Sequence, residues 1–74
     1  MARHITLDIR GMQPPEPLEH VLAAIADFRS GDTLKILSDF EPRPLYPILE
    51  RDGFRHRAEA GDEAACEITV WSAQ

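Results

Sequence analysis

The sequence has one cysteine, few basic residues and no long apolar run, and each of these shortages excludes a class of protein. Its 74 residues include one cysteine, Cys66, so no disulfide can form within the chain, and a lone thiol is typical of cytoplasmic rather than secreted proteins. Basic residues are few, since 8 Lys and Arg stand against 13 Asp and Glu, for a net charge of −5. This balance lacks the cationic face that nucleic acids and anionic membranes attract, so we expect neither as a partner.

Long apolar runs are missing as well. The longest covers residues 21–26, far short of the roughly 20 residues that cross a bilayer. The first residues hold no apolar run, so we expect no signal peptide and a cytoplasmic location. The length is that of one domain, residues 1–74, and so short a chain buries only about 60% of its unfolded surface.

The apolar residues recur along the chain at two spacings, one typical of strands and the other of helices. Alternation with a period of two predicts four strands, over residues 5–10, 33–38, 54–59 and 66–71, the last two joined by a hairpin turn at 60–63. Helical spacing of apolar residues predicts one helix from Leu18 to Phe28 and a short second one that begins near Leu45 and ends at Gly53.

The predicted element order is βαβαββ. Two right-handed crossovers place both helices on one face of a four-stranded mixed sheet, which is an α+β fold, a two-layer α/β sandwich with one open sheet face. The residues predicted to face the helices are Ile5, Leu7, Ile9, Leu18, Val21, Leu22, Ile25, Phe28, Leu34, Ile36, Leu45, Ile48, Leu49, Phe54, Ile68 and Val70. Those predicted on the open face are Thr6, Asp8, Lys35, Arg55, Arg57, Glu67, Thr69 and Trp71.

The run from Leu7 to Leu18, which reads LDIRGMQPPEPL, resembles the opening of the TusA/SirA-like sulfur-carrier proteins. Those proteins read L-D-x-R-G-x-x-C-P-x-P here, with the carrier cysteine at the start of the first helix. Residues 31–34, GDTL, match the family's turn into its second strand. The resemblance covers nearly the whole chain and implies the same two-layer fold.

The position of the carrier cysteine is occupied by Pro14, which has no thiol and cannot hold a persulfide. The sequence is closer to an uncharacterised sister family with proline at this position and a second motif at residues 41–46, EPRPLY. That family often occurs among genes for nitric-oxide and denitrification metabolism. The resemblance therefore implies a context in sulfur, redox or nitric-oxide metabolism, but no reaction.

Charged residues follow both parallel strands, where ligands commonly bind in open α/β sheets. We consider Asp8, Arg10, Glu16, Arg43 and Tyr46 as a candidate surface for a ligand or protein partner, in which the arginines would hold a partner's carboxylate. In the alternative interpretation, Asp8 and the two further carboxylates that follow the second strand pair with these arginines and cap the turns. Those two carboxylates are Asp39 and Glu41.

Metal and cofactor sites have little support. The spacing of His4, His20, His56 and Cys66 matches no common metal signature, so we expect no metal and no cofactor. Cys66 lies in the inward-facing series of the last strand, where burial would make its thiol inert. Trp71 on the open sheet face is either an interface anchor or a side chain folded over the sheet edge.

No catalytic arrangement is recognisable, so we do not expect an enzyme. The leading hypothesis is a non-enzymatic interaction module that has lost the carrier thiol and kept a protein-docking surface, either as a monomer or as a weak dimer. The alternative is a sulfur-transfer or redox protein that acts through Cys66.

Overall fold

The computed structural model describes residues 2–13 and 16–73. The strands are β1 (His4–Asp8), β2 (Thr33–Ser38), β3 (Phe54–Glu59) and β4 (Cys66–Ser72), and the helices are α1 (Glu16–Ile25) and α2 (Leu45–Arg51). The predicted βαβαββ order and the α+β class are confirmed. No helix within the described ranges combines the length and apolar character needed to cross a membrane.

The four strands form one sheet in the order β1-β2-β4-β3. The β1–β2 pair is parallel and the other two pairs are antiparallel, so the sheet is mixed as predicted. One row across it runs through Thr6, Lys35, Thr69 and Arg57, which all belong to the predicted open face. The strands β1 and β3 are the two edges.

Both helices cover the opposite face and close the core. Val21 and Ile25 of α1 and Leu49 of α2 pack in one buried cluster with sheet residues such as Leu34 and Ile68. Complete burial of side chains of this size stabilises the fold by about 1.5–3 kcal/mol each relative to exposure. The two-layer architecture follows directly, because one amphipathic sheet face and two amphipathic helices bury each other.

Leu22 was predicted to face the core and does not. It is 36% exposed, whereas Val21 and Ile25 are buried and Ala24 packs against them. The helix is rotated so that the small side chain of Ala24, rather than Leu22, flanks the buried pair. Periodicity alone does not resolve this rotation, because Leu22 and Ala24 border the same stripe on opposite sides.

The open face is partly covered by the β3–β4 loop. This loop spans residues 60–65, two residues longer than the predicted turn. Leu37 on the open face and Ala64 in the loop are both buried, at 4% and 8% exposure, although neither belongs to the main core cluster. The guanidinium of Arg10 donates to the carbonyl oxygen of Glu63 (2.6 Å), which ties the loop to the end of β1.

A buried carboxylate joins the amino ends of the two parallel strands. Asp32 directly precedes β2 and is 1% exposed, and it accepts hydrogen bonds from the main-chain N–H groups of Arg3 (2.8 Å) and Arg29 (3.0 Å). The Arg3 guanidinium adds bonds of 2.9 and 3.2 Å. The main-chain N–H groups of Arg3 and Arg29, followed by the Arg3 side chain, lower the pKa of Asp32 to about 2. Asp32 therefore fixes where β1 begins relative to β2.

The chain reaches this arrangement through Gly31, whose φ of +93° is in the left-handed region that favours glycine. A Cβ at this position would also lie 3.3 Å from the Cβ of Ala2. In the sequence, the turn at residues 31–34 was noted only as a family match. In the structure, this turn orients the Asp32 carboxylate towards Arg3.

Replacing Asp32 with alanine should lower the midpoint of thermal unfolding by about 5–10 °C, because buried donors lose their acceptor. Asp8→Ala is the matched control. It removes an exposed ion pair and should lower the midpoint by about 2 °C or less. Circular dichroism melts of both variants check the difference, and equal losses would contradict a special role for Asp32.

Stability should also fall in acid. The pKa of Asp32 is about 2 in the folded protein, against about 4 in an unfolded chain. A lowered folded pKa stabilises the protein fully above the unfolded pKa, and this stabilisation is lost as the pH falls through the folded pKa. Melts between about pH 5 and pH 2 should therefore show a falling midpoint in the native chain and a weaker fall in Asp32→Asn. An equally steep fall in that variant would contradict the assignment.

Candidate functional site

The carboxyl ends of β1 and β2 lie side by side. The main-chain N–H of Ile9 donates to the carbonyl oxygen of Leu37 (2.9 Å), and that of Gly11 donates to the Asp39 carboxylate (2.9 Å). The loops that follow the two strands are therefore tied together. This edge carries the residues that the sequence analysis singled out as a candidate surface.

Asp8 and Arg10 form a closed pair on the open face of the sheet. The Arg10 guanidinium donates to both carboxylate oxygens of Asp8, at 2.9 and 2.8 Å, and the main-chain N–H of Arg10 adds a bond of 3.0 Å. The side-chain and main-chain hydrogen bonds from Arg10 lower the pKa of Asp8 to about 2. With a further bond to Glu63, the Arg10 guanidinium is already occupied within the chain.

Arg43 and Tyr46 share a second carboxylate, that of Glu41. The guanidinium Nε of Arg43 donates to one oxygen of Glu41 (3.0 Å) and the Tyr46 hydroxyl donates to the other (3.1 Å). These two bonds lower the pKa of Glu41. Burial, followed by the bond to Glu41, raises the pKa of Tyr46 to about 12. The Tyr46 ring stacks on the His56 ring with centroids 3.9 Å apart.

The five predicted residues do not form one cluster. Asp8 lies in a strand row with Leu37 on the open face, whereas Tyr46 packs against the core on the helix-covered face. Glu16 is on α1, with its carboxylate 3.5 Å from the His20 ring, and the described contacts do not link it to either arginine. The pairings within the chain correspond to the alternative interpretation, in which the carboxylates bind these arginines and hold the turns.

The structure brings together a different set of residues at the same edge. An apolar groove of about 290 Å³ opens between the first turns of α1 and α2. Its lining consists of Ile9, Pro17, Leu18, Val21, Phe40, Pro42, Pro44, Leu45 and Ile48. Phe40 is 58% exposed and adjoins the other apolar residues of this lining, so the apolar surface is continuous rather than a single exposed side chain.

Sequence reasoning missed this groove because its residues come from four separate segments. A signal was present in residues 39–44, where Phe40, Pro42 and Pro44 stand in a segment predicted only as a turn. Apolar residues in a turn that belongs to no amphipathic element have no core face to join. Such residues indicate either a local cluster or an exposed apolar surface.

The histidines and the cysteine are distributed over the molecule. His4 on the open face makes a hydrogen bond with the Thr33 hydroxyl (2.7 Å), His20 is exposed on α1, and His56 is stacked on Tyr46. In residues 2–13 and 16–73, no three His, Cys, Asp or Glu side chains converge on a point where a metal could bind.

Cys66 is partly buried at the start of β4, opposite Ser38. It packs against the core and borders a cavity of about 310 Å³, whose lining includes Glu41 and Glu59. Burial, with a smaller contribution from the Glu41 charge, raises the pKa of the Cys66 thiol. A thiol with a raised pKa holds little thiolate near neutral pH, and thiolate is the form that attacks.

Trp71 lies on the open face, opposite Thr33 on one side and Arg55 on the other. It is partly buried and borders a depression of about 470 Å³ that also touches Phe54 and Ala73. The Trp71 side chain is neither fully exposed nor fully covered. Its burial therefore favours neither an interface anchor nor a side chain folded over the sheet edge.

Comparison with known proteins gives a family and a fold. Pro14, which the sequence analysis aligned with the carrier cysteine, lies outside the described residues. The crystal structure of a SirA-like protein from Desulfitobacterium hafniense matches with a TM-score of 0.79 and 23% identity, over 95% of this chain and 99% of that one. That likeness confirms the predicted SirA-like fold, whereas no curated protein matches the chain. Residues 6–72 match the model of the family described as "Uncharacterized conserved protein (DUF2249)", and the chain belongs to this family.

Proposed function

We propose that this protein is a non-enzymatic docking module that binds a segment of a partner protein in the apolar groove between α1 and α2. The observation that carries the proposal is the exposure of Phe40, which is 58% accessible beside a groove lined by apolar residues. Aromatic residues in such positions are common anchors of protein interfaces. Covering the groove would remove this surface from water.

The groove is built for binding without rearrangement. Pro17, Pro42 and Pro44 line it, and each has a fixed φ angle. The loop that carries Phe40 is held by Ser38, whose hydroxyl donates to the Phe40 carbonyl oxygen (2.6 Å) and accepts from the Phe40 N–H (3.3 Å). A rigid surface loses little conformational entropy on association, so more of the contact energy is retained as affinity.

Charge around the groove indicates the chemistry of the partner. Glu16 and Glu19 lie in the first turn of α1, and Asp39 and Glu41 stand on either side of Phe40 in the sequence. The one basic residue of these segments is Arg43, which is paired with Glu41. A segment with one or two apolar anchors flanked by Lys or Arg would complement this border. Glu16 and Arg43, both among the predicted partner-binding residues, remain part of the proposed surface.

Several features support a role without catalysis. The carboxylates of Asp8 and Glu41 have lowered pKa values and the Tyr46 hydroxyl has a raised one. These three groups therefore do not change protonation near neutral pH, as a general acid or base must. The resemblance to TusA/SirA-like carriers, with Pro14 at the thiol position, points the same way, because carrier domains act by docking on partner enzymes.

The same resemblance suggests where the partner acts. The motif at residues 41–46 and Pro14 resemble those of the sister family of the carriers. We therefore propose a cytoplasmic partner enzyme of sulfur, redox or nitric-oxide and denitrification metabolism, with neither nucleic acid nor membrane involved.

A photo-crosslinking amino acid placed at position 40 should capture a specific host protein, and the same group at exposed position 22 should not. Phe40→Ala should then weaken binding of the identified partner about tenfold or more, since it removes an exposed anchor. Leu22→Ala is the matched control, because Leu22 is an exposed apolar residue that does not line the groove. It should leave the affinity within about twofold.

Calorimetric titration measures both affinities, and the affinity should fall as salt is raised if the partner segment is basic. Equal binding by the Phe40→Ala and native chains would contradict docking in the groove. Turnover of a substrate by the isolated chain would contradict the non-enzymatic role.

Cys66 should react slowly in the folded protein. Labelling with a thiol reagent at pH 7 should be at least about tenfold slower than in denaturant, because burial hinders access and raises the thiol pKa. Glu41→Gln removes the nearby negative charge and should increase the native rate modestly. Rapid native labelling, or a mass increase of one sulfur atom on Cys66 in protein from its host, would instead support sulfur transfer through this residue.

A further inference from the structure

The edge strand β3 has an outer edge on which no strand pairs among the described residues, and it carries alternating charged side chains. None of its residues lines the groove. In the described part of the chain β3 has β4 as a neighbour on one side and no strand on the other. Its open-face residues are Arg55, Arg57 and Glu59, all of them exposed. An unpaired strand edge is a template for another strand, and the side chains along it select which strand can pair.

The backbone of β3 is ready to pair on its outer side. The N–H of Ala73 donates to the carbonyl oxygen of Gly53 (2.9 Å), and the antiparallel register continues from this pair along the strand. In such a ladder alternate residues turn their N–H and C=O groups to the same neighbour. Gly53, Arg55 and Arg57 therefore face β4, and the backbone groups of His56 and Ala58 face outward.

The charges on β3 have little pairing within the molecule: the pKa of Lys35 is raised chiefly by Glu67 and least by Glu59, and Glu59 makes no ion pair among the described residues. Glu59 stands directly opposite Glu67 across the β3–β4 pair, and like charges in that relation are unfavourable. Glu67 takes the nearest cation, Lys35, at 3.0 Å. Arg57 stands opposite Thr69 and makes no ion pair among the described residues. A strand that brings a cation to Glu59 and an anion to Arg57 would satisfy both.

We propose that β3 pairs antiparallel with β3 of a second copy of this chain, with Ala58 of each copy opposite the other. In this register Arg57 of each copy lies opposite Glu59 of the other, which makes two ion pairs across the new edge. Ala58 is small and its outward backbone groups form the central hydrogen-bonded pair. Residues 57–59 of the two strands pair in this register, which joins the two sheets edge to edge with the helices of both copies on the same face.

Charge selects this register over its neighbours. In an antiparallel pair of identical strands, one residue lies opposite its own copy and marks the centre of the pairing. The alternative registers on this strand centre on Arg57 or on His56 instead of Ala58. Centring on Arg57 pairs each Arg55 with Glu59 but places two arginines opposite each other, and centring on His56 places Arg55 opposite Arg57 twice. Only the centre at Ala58 pairs each Arg57 with an acid and places no like charges opposite each other.

The other free edge does not compete. On β1, Asp8 is bound on both oxygens by Arg10, and His4 is bound to the Thr33 hydroxyl. The charged and imidazole side chains of β1 are thus already bound within the chain, which leaves no charge pattern to select a partner strand. Because only residues 57–59 of each β3 pair in this register, the contact is small, and we expect the β3 dimer to be weak and to depend on concentration.

Sedimentation equilibrium from about 10 µM to about 1 mM should show reversible dimerisation of the native chain. Arg57→Glu and Glu59→Arg should each weaken it about tenfold or more, because two attractive pairs become repulsive. Arg55→Glu is the matched control for Arg57→Glu. It changes the net charge equally, but in this register it faces Gly61, so the dimer should weaken about twofold at most.

An equimolar mixture of the Arg57→Glu and Glu59→Arg variants tests the proposed pairing most directly. Arg57→Glu contributes two acids and Glu59→Arg contributes two bases, so an equimolar mixture should form a heterodimer tighter than either homodimer. The double variant with both reversals should dimerise like the native chain. A native chain that stays monomeric to about 1 mM would overturn the proposal. So would a dimer that is insensitive to Arg57→Glu, one equally sensitive to Arg55→Glu, or a mixture without heterodimer.

Discussion

The buried carboxylate of Asp32 is the constraint on which the rest of the fold depends. A parallel strand pair has no hairpin to set its register, so the relative position of β1 and β2 must be fixed by other contacts. Asp32 provides them by accepting the N–H groups that precede β1 and follow α1, together with the Arg3 guanidinium. The N–H of Thr33 then donates to the carbonyl oxygen of Arg3 (2.9 Å), which starts the ladder.

The same register also sets how the carboxyl ends of β1 and β2 lie relative to each other. Ile9 and Leu37 are brought into hydrogen-bonding distance, and the loops behind them lead directly into α1 and α2. The two helices begin at the same edge, and the space between their first turns is the groove. At this edge Asp8 pairs with Arg10 on the open face of the sheet, and Glu41 pairs with Arg43. The apolar lining of the groove and its acidic border are the surface left for contact.

Local pattern was sufficient for most of the fold and insufficient for the site. The strands and helices were predictable because period-two and helical spacing are local properties. The rotation of α1, the burial of Leu37 on the open face and the hydrogen bonds to Asp32 were not, because each depends on residues distant in sequence. The candidate cluster failed to converge for a related reason. Asp8 and Tyr46 follow neighbouring strands, but one faces the open side and the other the helices.

The direction of the pKa shifts bears on what kind of surface this fold can offer. The carboxyl pKa values of Asp8, Asp32 and Glu41 are lowered, and the pKa values of Tyr46 and Cys66 are raised. Each shift stabilises the form that the group already has at neutral pH, which is the opposite of what an acid or base catalyst needs. In the proposed docking surface, the Glu41 carboxylate therefore contributes a constant charge, and binding that depends on this charge should respond to salt.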